Sequence, residues 1–348
     1  MASAAAGDPT AIGSLASEPE RAGLAVLHRL APLLLVIGHQ HGLEPPTAWS
    51  DIARTTAVMR LMLEDGLREL GAVLGDAGIP WLPLKGMGPV ARLYPQPECR
   101  PTTDIDVLIP ETEFTRARAL LRTTGWEDMN TGIAFEDFLL REGYNWQARN
   151  RRGIMLELHF RLWGSVDPAL ATTLMERAAP APELGATALV SGPVETHVMA
   201  AAHLWNSPRP VALLNFLDLE LLARAAGGPG FVEGVASLAR RHDLQLFVGL
   251  AAAVANQLWE NQYNEAIAAT LLGDLRPAER LAVARARRRS PLELSLGTLV
   301  LARLLSGRRS RSGWRAPFRQ LWPHPAICAK NPGKGPIAAI RRALTSGR

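Results

Sequence analysis

Residues 104–109 read DIDVLI, and residues 153–163 read GIMLELHFRLW. Side chains alternate between the two faces of a strand. Asp104 and Asp106 therefore share one face of the first stretch, while Ile105, Val107 and Ile109 fill the other. The second stretch repeats the pattern, with Ile154, Leu156, Leu158, Phe160 and Leu162 facing one way and Met155, Glu157, His159 and Arg161 the other. Carboxylates this close repel unless a cation stands between them or one keeps its proton. A hard divalent cation with oxygen ligands, Mg²⁺ or Mn²⁺, relieves that repulsion. Three acids on neighbouring strands, Asp104, Asp106 and Glu157, could hold two ions about 3.5–4 Å apart, the arrangement that serves phosphoryl and nucleotidyl transfer. Asp137 or Glu142 could supply the third carboxylate in place of Glu157.

Working outward, residues 79–84 (IPWLPL) predict a short strand, and residues 85–94 a short helix opened by Gly86 and Gly88. A helix N-terminus offers free N–H groups and a positive dipole end to a phosphate. Lys85 opposes that dipole, and its position makes sense with an anion alongside. Lys85, Gly86, Gly88 and Arg100, the last in a loop over 95–103, are the candidate phosphate contacts. For the two cations the alternative is an ordinary ion pair with a nearby acid. Residues 111–124 fit a helix stopped by Gly125, and 144–149 and 154–162 fit strands with a turn at 151–153.

The flanks carry helical periodicity. Residues 21–37 and 50–77 predict helices, the second with Leu61, Leu63, Leu67, Leu70 and Leu74, separated by Pro45 and Pro46 and closed by Gly78. Residues 194–205, 211–226, 230–242, 244–263 and 277–289 predict further helices between Pro, Gly or polar breaks. The expected fold class is α+β: a small mixed sheet over 79–165, preceded by a helical segment (1–78) and followed by a helical substrate-side region (166–275) and a basic end (276–348).

Hydrophobic residues make up 47% of the 348 and charged residues 20%, which excludes wholesale disorder. Two cysteines, Cys99 and Cys328, exclude a disulfide framework and fit a reducing compartment. No apolar run reaches the roughly 18–20 residues that span a bilayer, and no signal peptide is expected, so the predicted location is the cytoplasm. The net charge of +5 hides an asymmetry. Residues 276–348 hold 17 Lys plus Arg against 2 Asp plus Glu, and residues 1–275 hold 21 against 31. Arg285–Arg289 and Arg308–Arg311 could bind a polyanion or an anionic membrane surface, or form a solvated tail that docks on the acidic body.

The order LPLKG, LYPQPECRPTTDIDVLI and GIMLELHFRLW resembles the bacterial family often labelled uncharacterised nucleotidyltransferase, within the DNA polymerase β-like superfamily. The family pattern of Lys-Gly, an Arg before Asp-x-Asp, and a later Glu-x-His falls on Lys85-Gly86, Arg100, Asp104 with Asp106, and Glu157 with His159. HLWNSPRPVALLNFLDLELL resembles a family helical segment with a His and then an Asp, here His203 and Asp218, and PFRQLWPHPAIC resembles a C-terminal pattern. Where the wider superfamily has Gly-Ser, this chain has Lys85-Gly86-Met87, as the narrower family does. Phosphate binding would then rest on backbone N–H groups and Lys85.

The resemblance implies an Mg²⁺-dependent transfer of a nucleoside monophosphate from a nucleoside triphosphate to an acceptor hydroxyl. The acceptor could be a peptide or protein, a small molecule or an RNA end. His159, Arg161, His203 and Asp218 are expected to position substrate, or else to make structural hydrogen bonds. His39 and His41 suit a helix end better than a metal pair, Cys99 has no His-and-acid partner nearby in sequence, and the tryptophans read as core. Two other functions stay open: a non-catalytic binder using the basic end on nucleic acid or a partner, and a toxin-like transferase that modifies tRNA.

Overall fold

The computed structural model describes residues 1–130, 139–140, 143–162, 167–204, 211–275 and 279–280. All of the predicted helix at 277–289 except residues 279–280, the arginine clusters and the alternative acids Asp137 and Glu142 lie outside the described residues.

Five helices precede the sheet: α1 (Ala2–Ala5), α2 (Pro9–Ala16), α3 (Pro19–Leu27), α4 (Ala31–Gln40) and α5 (Thr47–Asp76). Asp8 caps α2, its carboxylate accepting from the Thr10 and Ala11 amides at 2.9 and 3.3 Å. The helix expected over 21–37 is two helices, bent 120° apart. Arg29 between them takes a left-handed φ of +61°, which ends α3.

The sheet has the order β1-β2-β5-β4-β3, with β1 (Leu82–Pro83), β2 (Ile105–Leu108), β3 (Glu127–Asp128), β4 (Asn145–Arg149) and β5 (Met155–His159). Only the β2–β5 pair is parallel, which makes the sheet mixed. Ile105, Val107, Leu156 and Leu158 are buried in one core with Leu63, Leu67, Leu70 and Leu74 of α5 and with Phe114, Ala117 and Leu121 of α6 (Phe114–Thr123). At Gly66 the helix comes so close to the sheet that a Cβ would sit 3.1 Å from methyl groups of Ile105 and Ile154.

The segment joining β1 to β2 differs from the helix expected over 85–94. It runs as three short 3₁₀ turns, Lys85–Met87, Pro89–Leu93 and Pro97–Cys99. Prolines at 89, 95 and 97 remove backbone donors that a longer helix needs. The helix-dipole argument for Lys85 does not apply to so short a turn.

After the sheet come α7 (Ala169–Arg177), the hairpin strands β6 (Ala179–Pro180) and β7 (Leu189–Val190), and α8 (Pro193–Leu204), α9 (Leu213–Ala226), α10 (Pro229–Arg241), α11 (Gln245–Trp259) and α12 (Gln262–Gly273). The run expected over 244–263 breaks at Glu260, which is left-handed at φ +51°, and Asn261 then caps α12 through the Tyr263 and Asn264 amides. Every residue from 245 to 255 is buried, as a helix apolar all round requires. These helices share a second core with α1–α4, joined by Leu82, Leu84 and Leu108 from the sheet. The sheet thus lies between α5 with α6 on one face and the shared helical mass on the other. Among the described residues no single helix is long and apolar enough to cross a membrane.

Candidate active site

Parallel pairing of β2 with β5 sets Asp106 directly beside Glu157, and Leu108 beside His159. Period-2 alternation puts Glu157 and His159 on one face of β5, the face on which Asp106 stands in β2. Asp106 and His159 are fully buried. His159 Nε2 lies 3.0 Å from Asp106 Oδ1 and 3.5 Å from Glu157 Oε2. One donor atom from each of Asp106, Glu157 and His159 falls within 4.8 Å of the other two.

Lys85 enters this group from the turn after β1. The Leu84 amide donates to the Asp106 carbonyl at 2.9 Å, which registers the turn against β2. Lys85 has a left-handed φ of +47°, and its ammonium stands 2.6 Å from Asp106 Oδ1 and 4.0 Å from Glu157 Oε2. Gly86 follows because nothing larger fits: a Cβ there would lie 2.5 Å from Thr102 Oγ1 and 2.7 Å from Arg100 Nη1. At Gly88 a Cβ would come within 3.1 Å of the Pro83 carbonyl.

Charges alternate across the cluster and shift accordingly. Burial raises the Asp106 carboxyl, but Lys85 and the hydrogen bond from His159 outweigh it and hold it well below the usual range. Glu157 is likewise lowered on balance, His159 outweighing burial. His159 moves up because its hydrogen bonds to Asp106 and Glu157 exceed its desolvation. Lys85 moves up because Asp106 and Glu157 exceed its own burial. Asp104 sits one residue before β2, half-buried, and is pushed up to about 6 by burial and then by Asp106. It lies within the field of Lys85, Glu157 and Arg29 but outside the three-residue donor group.

Arg100 and Asp218 are brought together with each other. Arg100 Nη2 donates to Asp218 Oδ2 at 2.6 Å and Nε to Oδ1 at 2.9 Å, and the Tyr94 hydroxyl donates to Oδ1 at 2.7 Å. Arg161 pairs with Glu111 and donates to the Gly143 carbonyl at 3.1 Å. His203, in the last turn of α8, is pushed down to about 3 by burial and then by the Lys85 charge, so it lies within electrostatic reach of the cluster. Cys99 is buried and its thiol is pushed up to about 11, the opposite of what a nucleophile needs. Trp81, Trp126 and Trp146 are core.

Three residues of this region escape sequence reasoning. Gln147 Nε2 donates to Glu157 Oε1 at 2.9 Å, and Asn145 pairs opposite His159 in β4. The alternation in NWQAR, polar at 145 and 147 and apolar at 146 and 148, is the signal that could have found both. Arg29 donates to the Pro101 carbonyl at 2.6 Å, and nothing local in the sequence points to it.

Two carboxylates and an imidazole converging from adjacent parallel strands are a donor set suited to a divalent cation. Among curated proteins none matches the chain. A family model does match, over residues 19–260, and its description is uncharacterised nucleotidyltransferase. That span takes in α3–α5, the whole sheet and α7–α11, so this chain belongs to the uncharacterised nucleotidyltransferase family.

Proposed function

We propose that the protein is a metal-dependent nucleotidyltransferase, moving a nucleoside monophosphate from a nucleoside triphosphate to an acceptor hydroxyl. The observation that carries this reading is the juxtaposition of Asp106, Glu157 and His159 on adjacent parallel strands. Asp106 and Glu157, with Asp104 at the mouth of β2, would hold Mg²⁺ or Mn²⁺. When bound, the cation neutralises triphosphate charge and lowers the pKa of an acceptor hydroxyl.

The chain's own residues supply the rest. The acceptor oxygen forms a bond to the α-phosphorus, the bond from that phosphorus to the bridging oxygen breaks, pyrophosphate leaves, and the hydroxyl proton passes to water. Most of the acceleration would come from positioning and fixed charge. Gln147 and His159 orient Glu157, and His159 and Lys85 orient Asp106. The turn at Lys85–Gly88 borders the phosphates. His203 of α8 lies within electrostatic reach of the cluster, and the acceptor would enter from this helical side. That acceptor would be a hydroxyl of a peptide or protein, a small molecule or an RNA end.

The test incubates the protein with each α-³²P-labelled nucleoside triphosphate, Mg²⁺ or Mn²⁺, and cell extract. Label on a macromolecule or metabolite that disappears with Asp106→Asn supports the reading and identifies donor and acceptor together. No label from any nucleotide, or equal labelling by Asp106→Asn, overturns it. Polyanion binding that survives Asp104→Asn and weakens steeply with salt would favour the binding-protein function instead.

A further inference from the structure

The Lys85 ammonium lies beside both Asp106 and Glu157, the two carboxylates that would hold a divalent cation. It lies 2.6 Å from Asp106 Oδ1, the same oxygen that His159 Nε2 reaches at 3.0 Å, and 4.0 Å from Glu157 Oε2. A buried carboxylate, Asp106, beside a half-buried one, Glu157, on the neighbouring strand needs a positive group close to both or a proton on one of them. The Lys85 ammonium, sharing the Asp106 oxygen with the His159 imidazole, meets that need.

Its placement is built into the turn. Lys85 accepts a left-handed backbone, a conformation that is unfavourable for a residue bearing a side chain. The following residue is hemmed in by Thr102 and Arg100, and the Gly86 carbonyl is held by Arg60 Nη1 at 2.8 Å. The residue type is also particular. Of the 38 Lys plus Arg, only those at 85, 330 and 334 are lysines. A guanidinium is a planar fork suited to bidentate grip, whereas an ammonium is a compact point charge on a flexible stem. An ammonium can share one oxygen with an imidazole and can leave it.

We propose that Lys85 is the resident counter-cation of the site and competes with a divalent cation for Asp106 and Glu157. The inference rests on the transferase reading and deepens it. Free divalent cation binds weakly because it must displace Lys85. It binds tightly when nucleotide phosphates receive the ammonium, so the substrate is the metal–nucleotide complex rather than the ion and the nucleotide in turn.

The experiment titrates Mn²⁺ alone, without nucleotide, into wild type and Lys85→Gln, following free Mn²⁺ by electron paramagnetic resonance. The expected result is at least tenfold tighter binding by Lys85→Gln, abolished when Asp106→Asn is added. Equal or weaker binding by Lys85→Gln overturns the proposal, as does tight binding that survives Asp106→Asn. A second measurement on wild type keeps the test decisive if the variant misfolds. An amine-directed reagent with mass spectrometry reads three lysines, and modification of Lys85 should rise several-fold at saturating Mn²⁺; an unchanged or slower rate overturns the proposal. Neither readout involves label transfer, so the counter-cation can fail while the transferase reading stands, and the reverse.

Discussion

Arg100 and Asp218, 118 residues apart, grip each other through hydrogen bonds of 2.6, 2.9 and 3.1 Å inside the protein, with the Tyr94 hydroxyl completing the group at 2.7 Å. The pair ties the loop leading into β2 to helix α9, and so fixes the segment that carries Asp104 and Asp106 against the helical mass. Removing one partner strands a buried charge, which costs about 3–5 kcal/mol. Asp218→Ala should therefore lower unfolding stability by that amount in urea titrations. A loss under about 1 kcal/mol would show that Arg100 finds water or another partner.

Gln147 acts on Glu157 from the neighbouring strand through a 2.9 Å hydrogen bond. Partners that orient a metal-binding group typically contribute about 10–100-fold to affinity or activity. Gln147→Ala should weaken Mn²⁺ binding within that range while leaving the melting temperature nearly unchanged. Unaltered Mn²⁺ affinity, measured alongside the melting curve, would remove Gln147 from the site.

Two glycines should respond in opposite directions. Gly86→Ala forces a methyl to 2.5 Å from Thr102 Oγ1 and 2.7 Å from Arg100 Nη1, an overpacking that costs about 1–3 kcal/mol. Gly75→Ala, in the last turn of α5, meets nothing nearer than 3.8 Å and should gain about 0.5–1 kcal/mol from helix propensity. Differential scanning calorimetry of the two variants checks the contrast, and a Gly86→Ala protein as stable as wild type would contradict it.

His197 of α8 is buried beside Asn264 and edge-on to Phe231, and burial pushes its imidazole down to about 4. An unfolded histidine takes its proton near 6.5. Between those values the unfolded chain binds more protons than the folded one, so stability falls as pH is lowered from about 6.5 towards 4. This one group contributes up to about 1.4 kcal/mol per pH unit. Urea midpoints from pH 7.5 to 4.5 should show that slope in wild type and a flatter one in His197→Phe. Parallel slopes would assign the acid sensitivity elsewhere.

Strands β2, β4 and β5 were legible because their signal is local, whereas the two-residue strands β3, β6 and β7 are too short to show any alternation. Alternation over 104–109 and 154–162 declares a polar and an apolar face within a few residues, and both β2 and β5 lie inside those stretches. The same alternation in residues 145–149 offered a signal for Asn145 and Gln147 that sequence reasoning passed over, and only the pairing of β4 with β5 gives those side chains a purpose. Helix ends were less legible. The breaks at Arg29 and Glu260 depend on left-handed backbones adopted by residues with no strong turn preference.

The chain's local chemistry by itself determined that acids would lie on one face of a sheet backed by aliphatic residues. Only the tertiary structure decided which groups neutralise them. It set Lys85 and His159 on Asp106, and Asp218 on Arg100. The reason is physical: periodicity is a property of neighbouring residues, whereas an ion pair between residues 21, 53 or 118 positions apart leaves no trace in either neighbourhood. Its partner is chosen by which elements pack together and by the need to compensate every buried charge.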